Sequence, residues 1–124
     1  FLLFSQVADS NMQSTKSILI TTLIGFPLRI SSSPSFKILF DAYHVQIMDG
    51  DLIRRIEQHH EFIGHVQIAG NPGRGEIGDD QEINYRGIMK ALLRVNYSGY
   101  VGHEWIPTGD PMKGLKEAIQ ICDI

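Results

Sequence analysis

The 124-residue sequence holds one cysteine, Cys122, which excludes an internal disulfide framework and fits a reducing, cytoplasmic setting. It has no apolar run of the roughly 20 residues needed to span a bilayer. Positive charge is not in excess either. Eleven Lys and Arg against 14 Asp and Glu leave a net charge of −3, so no basic field recruits nucleic acid or an anionic membrane. Its 12 glycines do not fall at P-loop or Rossmann spacing, which sets aside the usual nucleotide-phosphate cradles. A starting methionine is absent as well: the chain begins at Phe1 and its first methionine is Met12, as expected of a fragment. What is present, 43% hydrophobic, 20% charged and 9% aromatic residues, is the composition of a globular domain with a real core.

Two regions differ in character. Residues 1–35 are rich in Ser, Thr, Leu and Ile, contain Asp9 as their sole acid, and show no period of 2 or 3.6. They read as an atypical N-terminal extension, poorly packed or a strand-and-turn piece. Lys16 followed by the apolar stretch Ser17 to Leu28 imitates a secretory signal, but eleven residues precede Met12 and no cysteine framework follows. Ser31 to Ser35 reads as a linker.

Residues 36–124 are orderly. Phe36 to Asp41, Phe62 to Ala69 and Tyr100 to Glu104 are strand candidates. Leu52, Ile53 and Ile56 recur at helical spacing after Asp49-Gly50-Asp51. Asn84 is a cap for a helix with the stripe Tyr85, Ile88, Met89, Leu92 and Leu93. Asp110-Pro111 opens a last helix with the apolar face Leu115, Ala118, Ile119 and Cys122. Strand and helix alternate three times, which predicts an α/β fold with a parallel sheet. Three such units give a barrel-like arc, too few for a closed barrel of eight strands.

Each strand delivers a polar residue at its C-terminal end: Asp41, Gln67 and Glu104. In parallel α/β architectures that edge carries the chemistry. Two carboxylates and an amide carbonyl are hard oxygen donors, suited to Mg²⁺ or Mn²⁺. Strand alternation puts Leu39 with Asp41, and His65 with Gln67, on a face opposite their apolar neighbours. Taken singly, a strand-terminal Asp is often a cap and a terminal Glu is often solvated.

The segments Phe40-Asp41-Ala42-Tyr43-His44-Val45-Gln46-Ile47-Met48, Gly64-His65-Val66-Gln67-Ile68-Ala69 and Pro72-Gly73-Arg74-Gly75-Glu76 occur in that order. Glu82-Ile83-Asn84-Tyr85, Tyr100-Val101-Gly102-His103-Glu104-Trp105 and Pro107-Thr108-Gly109-Asp110 follow. Over residues 36–122 this series resembles the hydroxypyruvate isomerase family of xylose isomerase-like barrels. The resemblance implies the C-terminal part, about three βα units, of a (β/α)₈ TIM barrel. It implies that Asp41, Gln67 and Glu104 bind a divalent metal, Mg²⁺ or Mn²⁺, and that Glu104 is the proton-transfer base. His44 is implied to face substrate oxygens and Arg74 to meet a substrate carboxylate, with Glu76 beside it. His65 is expected to support the metal shell, His103 to pack against a helix, and Tyr43 and Trp105 to line the pocket or the core.

The implied activity interconverts hydroxypyruvate and tartronate semialdehyde through a metal-stabilised enediolate. A small hydroxy-oxo acid or sugar is the expected partner, with oligomers possible. A ketose epimerase of the same superfamily, or an inactive truncated form, are the alternatives. Epimerase relatives carry histidine where Gln67 stands, which favours the first reading. The family's fourth ligand, and the partner of Glu104 in proton transfer, is a glutamate on a strand upstream of Asp41. With Asp9 alone among the acids of residues 1–35, no such strand is expected here. The isolated chain is therefore expected to show little isomerase turnover even with Mg²⁺ or Mn²⁺. Turnover of about 1–10³ per second that vanished in Glu104→Gln would contradict this.

Overall fold

The computed structural model describes residues 37–124 and one two-residue strand before them. The sheet is parallel, in the order β1 (Ile18–Leu19), β2 (Lys37–Asp41), β3 (Ile63–Ile68), β4 (Val101–His103). The helices are α1 (Ala42–Met48), α2 (Leu52–His59), α3 (Tyr85–Arg94) and α4 (Pro111–Cys122), with a 3₁₀ turn at His60–Phe62. The expected three strand-helix units are present, with strand boundaries within a residue or two of those expected. β1 is a strand upstream of Asp41, but not the glutamate-bearing one that the family's fourth ligand would need. Neither Ile18 nor Leu19 is an acid. The expected extension at 1–35 otherwise lies outside the described residues. Among those residues no helix is long and apolar enough to cross a membrane.

Helix α1 was not expected. Asp41 ends β2 and at once caps α1, its Oδ1 accepting from the N–H groups of Tyr43 (2.9 Å) and His44 (3.3 Å). The helix stops at Asp49-Gly50-Asp51, where Gly50 and Asp51 both take positive φ (67° and 57°). Arg55 then closes the joint between α1 and α2. It pairs with Asp49 at 2.8 Å and donates to the Gly50 carbonyl at 3.1 Å, so it is more than the solvated arginine its position suggests. Asn84 and Asp110 cap α3 and α4 as their sequence signals predict, accepting from the Gly87 and Met112 N–H groups, each at 2.9 Å.

The core lies between the helices and one face of the sheet. Phe40, Val66 and Ile68 meet Ile56, Ile88 and Leu92 there. Two expected core residues stay outside. On α3 the buried face runs through Ile88, Ala91 and Leu92, and Leu93, a further 100° around the helix, is 60% exposed. On α4 the buried positions are Gly114 and Ala118, while Ile119 is 52% exposed. Small residues let α4 approach closely: a Cβ on Gly114 would stand 3.1 Å from the Trp105 ring.

One polar contact crosses this core. The buried Tyr85 hydroxyl donates to the Ala69 carbonyl (2.5 Å) and accepts from the Ala69 N–H (3.1 Å). It thereby satisfies both backbone groups just beyond β3 and ties them to the first turn of α3. Burial pushes the Tyr85 phenol well above its ordinary pKa, so it remains a neutral donor. Tyr85→Phe strands both Ala69 groups, and urea unfolding is expected to show a loss of about 1–3 kcal/mol. An unchanged midpoint would mean that water takes over this role.

Candidate active site

Register decides which side chains meet. Asp41 pairs with Gln67, and Gln67 with Gly102. Glu104 lies just past β4, held by its N–H on the Ile68 carbonyl at 2.9 Å. Asp41, Gln67 and Glu104 thus stand at one edge of three adjacent strands. Strand alternation separates Asp41 and Gln67 from Phe40, Val66 and Ile68, whose side chains enter the helix-side core. Asp41 is 5% exposed and Glu104 45%. Gly102 leaves room on this face, since a Cβ there would lie 3.1 Å from His65 Nε2 and 3.8 Å from Gln67 Cγ.

Arg74 links the outer strands across β3. It sits in the tight turn after β3, which is closed by Gly70 N–H to the Gly75 carbonyl at 2.8 Å. Its own φ of 59° and that of Gly73, 91°, reverse the chain there. The guanidinium Nη2 lies 2.9 Å from Glu104 Oε2 and 3.9 Å from Asp41 Oδ2, and Nε donates to the Glu104 carbonyl at 3.3 Å. The Tyr43 ring lies beneath it, 5.5 Å from centroid to Cζ. One cation therefore serves both carboxylates.

His44 Nε2 is 3.5 Å from Asp41 Oδ2, so it faces the same carboxylate oxygen that Arg74 approaches. His65 shares the face of Gln67. Burial lowers its pKa, and the nearby Glu104 charge opposes that shift. His103 is also lowered by burial and accepts from Trp105 Nε1 at 3.4 Å. Trp105 is part of the packed interior rather than the site's floor.

Among the described residues no group of three or more His, Cys, Asp and Glu side chains is arranged to hold a metal. The donor set at the strand ends is two carboxylates plus the Gln67 amide. Three oxygen donors are of the kind that suits a hard divalent cation, and in this structure the Arg74 guanidinium is the positive group that both carboxylates face. The strand next to β2 contributes no further acid at Ile18 or Leu19.

Two ties between loops were not foreseen from the sequence. Glu82 accepts from the buried Asn71 side chain and from Gln46 Nε2 (3.3 Å), joining the loop after β3 to α1. Glu76 accepts from Thr108 twice, from its N–H at 2.9 Å and its hydroxyl at 2.8 Å. Both pairs join residues far apart in the chain. Their trace in the sequence is that Glu76, Thr108, Glu82 and Gln46 fall inside the motifs that carry the resemblance.

The family model described as xylose isomerase-like TIM barrel matches residues 26–123. The chain belongs to that family. The match begins upstream of Phe36, where the recognisable motifs start. The hydroxypyruvate isomerase of Escherichia coli (strain K12) is 43% identical over 82 residues, covering 66% of this chain and 31% of that protein. The 2-oxo-tetronate isomerase of Pectobacterium atrosepticum is 46% identical over 82 residues, covering 66% and 31%. A solved structure described as an AP endonuclease, family 2, from Brucella melitensis is 44% identical. Its TM-score is 0.64, and the match covers 68% of this chain and 32% of that one. The chain spans about a third of the length of the curated relatives it matches.

The Glu76–Thr108 pair has a defined pH response. Hydrogen bonds from Thr108, its N–H foremost, hold the Glu76 carboxyl below its ordinary pKa. A folded pKa lower than the unfolded one gives stabilisation that is present above the ordinary glutamate range and lost as pH falls through the depressed value. In an NMR titration the Thr108 amide is expected to keep its shift until the pH is below the usual glutamate midpoint. A transition at or above that midpoint would show that the bonds do not form in solution.

Proposed function

We propose that this chain carries the metal-holding edge of an isomerase acting on a small hydroxy-oxo acid, with hydroxypyruvate and tartronate semialdehyde as the interconverted pair. One observation carries the reading. Asp41, Gln67 and Glu104 stand at adjacent strand ends, with Arg74 between the two carboxylates. Relatives named hydroxypyruvate isomerase and 2-oxo-tetronate isomerase support the substrate class.

In this reading Asp41, Gln67 and Glu104 would hold a Mg²⁺ or Mn²⁺ ion. When bound, the ion supplies polarisation of the substrate's carbonyl and hydroxyl oxygens. Arg74 orients the substrate carboxylate, for which a planar guanidinium offers paired donors. His44 hydrogen-bonds substrate oxygens beside Asp41. Glu104 takes a proton from the hydroxymethyl carbon, leaving the enediolate of the substrate, and protonation of the neighbouring carbon with movement of the hydroxyl proton completes the exchange. No electrons leave the substrate, so no redox cofactor takes part.

The first half of that sequence needs Glu104 alone as base, which makes solvent exchange a sharper probe than turnover. With Mn²⁺ and hydroxypyruvate in D₂O, the chain is expected to speed deuterium entry at the hydroxymethyl carbon. Glu104→Gln should lower that rate by about 10²–10⁴-fold. Asp41→Asn should weaken Mn²⁺ binding, read by paramagnetic resonance titration, while exchange into a free ketohexose stays at background. If Asp41→Asn and Glu104→Gln both bind Mn²⁺ as the unaltered chain does, the metal assignment is wrong. Faster exchange into the ketohexose than into hydroxypyruvate would favour an epimerase.

A further inference from the structure

The loops after β3 and β4 are stitched together at three successive points. At the inner end Arg74 Nε and Nη2 engage the Glu104 carbonyl and carboxylate. Next, the Ile106 N–H donates to the Arg74 carbonyl at 2.7 Å. At the outer end the Glu76 carboxylate receives both donors of Thr108. The first two contacts involve residues the proposed reaction uses or their immediate neighbours. The third lies outside the reacting centre, and Thr108 is exposed. A carboxylate filled by two donors of one residue fixes direction as well as distance.

Arg74 needs such support. Its left-handed backbone is uncommon for a residue with a side chain, and its guanidinium lies over a half-exposed carboxylate. On one side the Gly70–Gly75 bridge holds the turn. On the other, the chain leaves the turn through Glu76, whose Cγ lies against the start of α4. Between Trp105, packed in the interior, and Asp110, the cap of α4, Thr108 ties the segment to the loop after β3, so releasing it would loosen the Ile106 bond to Arg74.

We infer that Glu76 and Thr108 are positioning residues, a clasp between two active-site loops that holds the Arg74 guanidinium in register with Glu104 for recognition of the substrate carboxylate. The inference deepens the reading of Arg74 given under Proposed function and rests on it. Neither residue touches substrate. Their effect is transmitted through the backbone of the two loops.

The test uses Thr108→Val, which keeps shape and the N–H but removes the hydroxyl, and Thr108→Ser, which keeps both donors. The first readout is the Arg74 Nε–H resonance of the chain. In the unaltered protein it is expected to exchange slowly because the Glu104 carbonyl accepts it. Thr108→Val should broaden it or move it toward the position of a solvated arginine, and Thr108→Ser should restore it. The second readout is hydroxypyruvate binding in the presence of Mn²⁺. Thr108→Val should weaken it by about tenfold, the equivalent of one lost hydrogen bond to a charged group. Mn²⁺ affinity should change less than about twofold, because Asp41 and Gln67 are fixed by their strands and Glu104 is held to β3 by its own N–H. An Arg74 resonance indifferent to Thr108→Val overturns the clasp whatever the binding result. So does a Ser variant as impaired as Val. Failure of the unaltered chain to bind hydroxypyruvate overturns the substrate reading instead, and the Arg74 resonance still decides whether the clasp exists.

Discussion

The parallel register of β2, β3 and β4 is the constraint on which the site depends. Asp41 opposite Gln67, and Gln67 opposite Gly102, leave the strand ends level. Neighbouring strands lie about 4.8 Å apart, so level ends place successive side chains within reach of a common small group. A slip of one residue in β3 would send Gln67 to the helix side and bring an apolar residue to the edge. The packing that prevents such a slip is on the other face, where Phe40, Val66 and Ile68 are locked among the helices. Site and core are thus two readings of one alternation.

Much of this was legible in the sequence because it depends on local pattern. Apolar runs bounded by glycine and acids marked three strands, and Asn84 and Asp110-Pro111 marked two helix starts. Helix α1 escaped because Asp41 does two jobs: it ends a strand and caps the helix that begins at the next residue. The apolar stripes of α3 and α4 were placed one position too wide, since Leu93 and Ile119 are as apolar as their buried neighbours and pattern alone does not say which flank meets the core. The strand β1 lies in a stretch without period, where pairing with β2 rather than sequence pattern defines it.

At the site, residue types and strand-end positions were legible, but their electrostatic wiring was not. Arg74 falls in a glycine-rich turn with nothing local to show that it reaches back to Asp41 and across to Glu104. Glu76 with Thr108, and Glu82 with Asn71 and Gln46, depend on how the long loop after β3 folds on itself and comes to rest against α1 and the loop after β4. Such contacts carry no period. They follow from the fold and cannot precede it in the reading.

The capping role of Asp41 has a consequence for any ligand its carboxylate would bind, the proposed cation included. One carboxylate oxygen is committed to the backbone of α1, and the other faces His44 and Arg74. The side chain has therefore given up its rotational freedom when the helix forms, before any ligand would arrive. A flexible surface aspartate must surrender that entropy at the moment of binding. Here that loss falls on folding, and Oδ2 is already directed toward His44 and Arg74. Preorganisation of this kind raises affinity without adding a single contact, and under the proposed metal reading it would make the integrity of a seven-residue helix part of the cation chemistry.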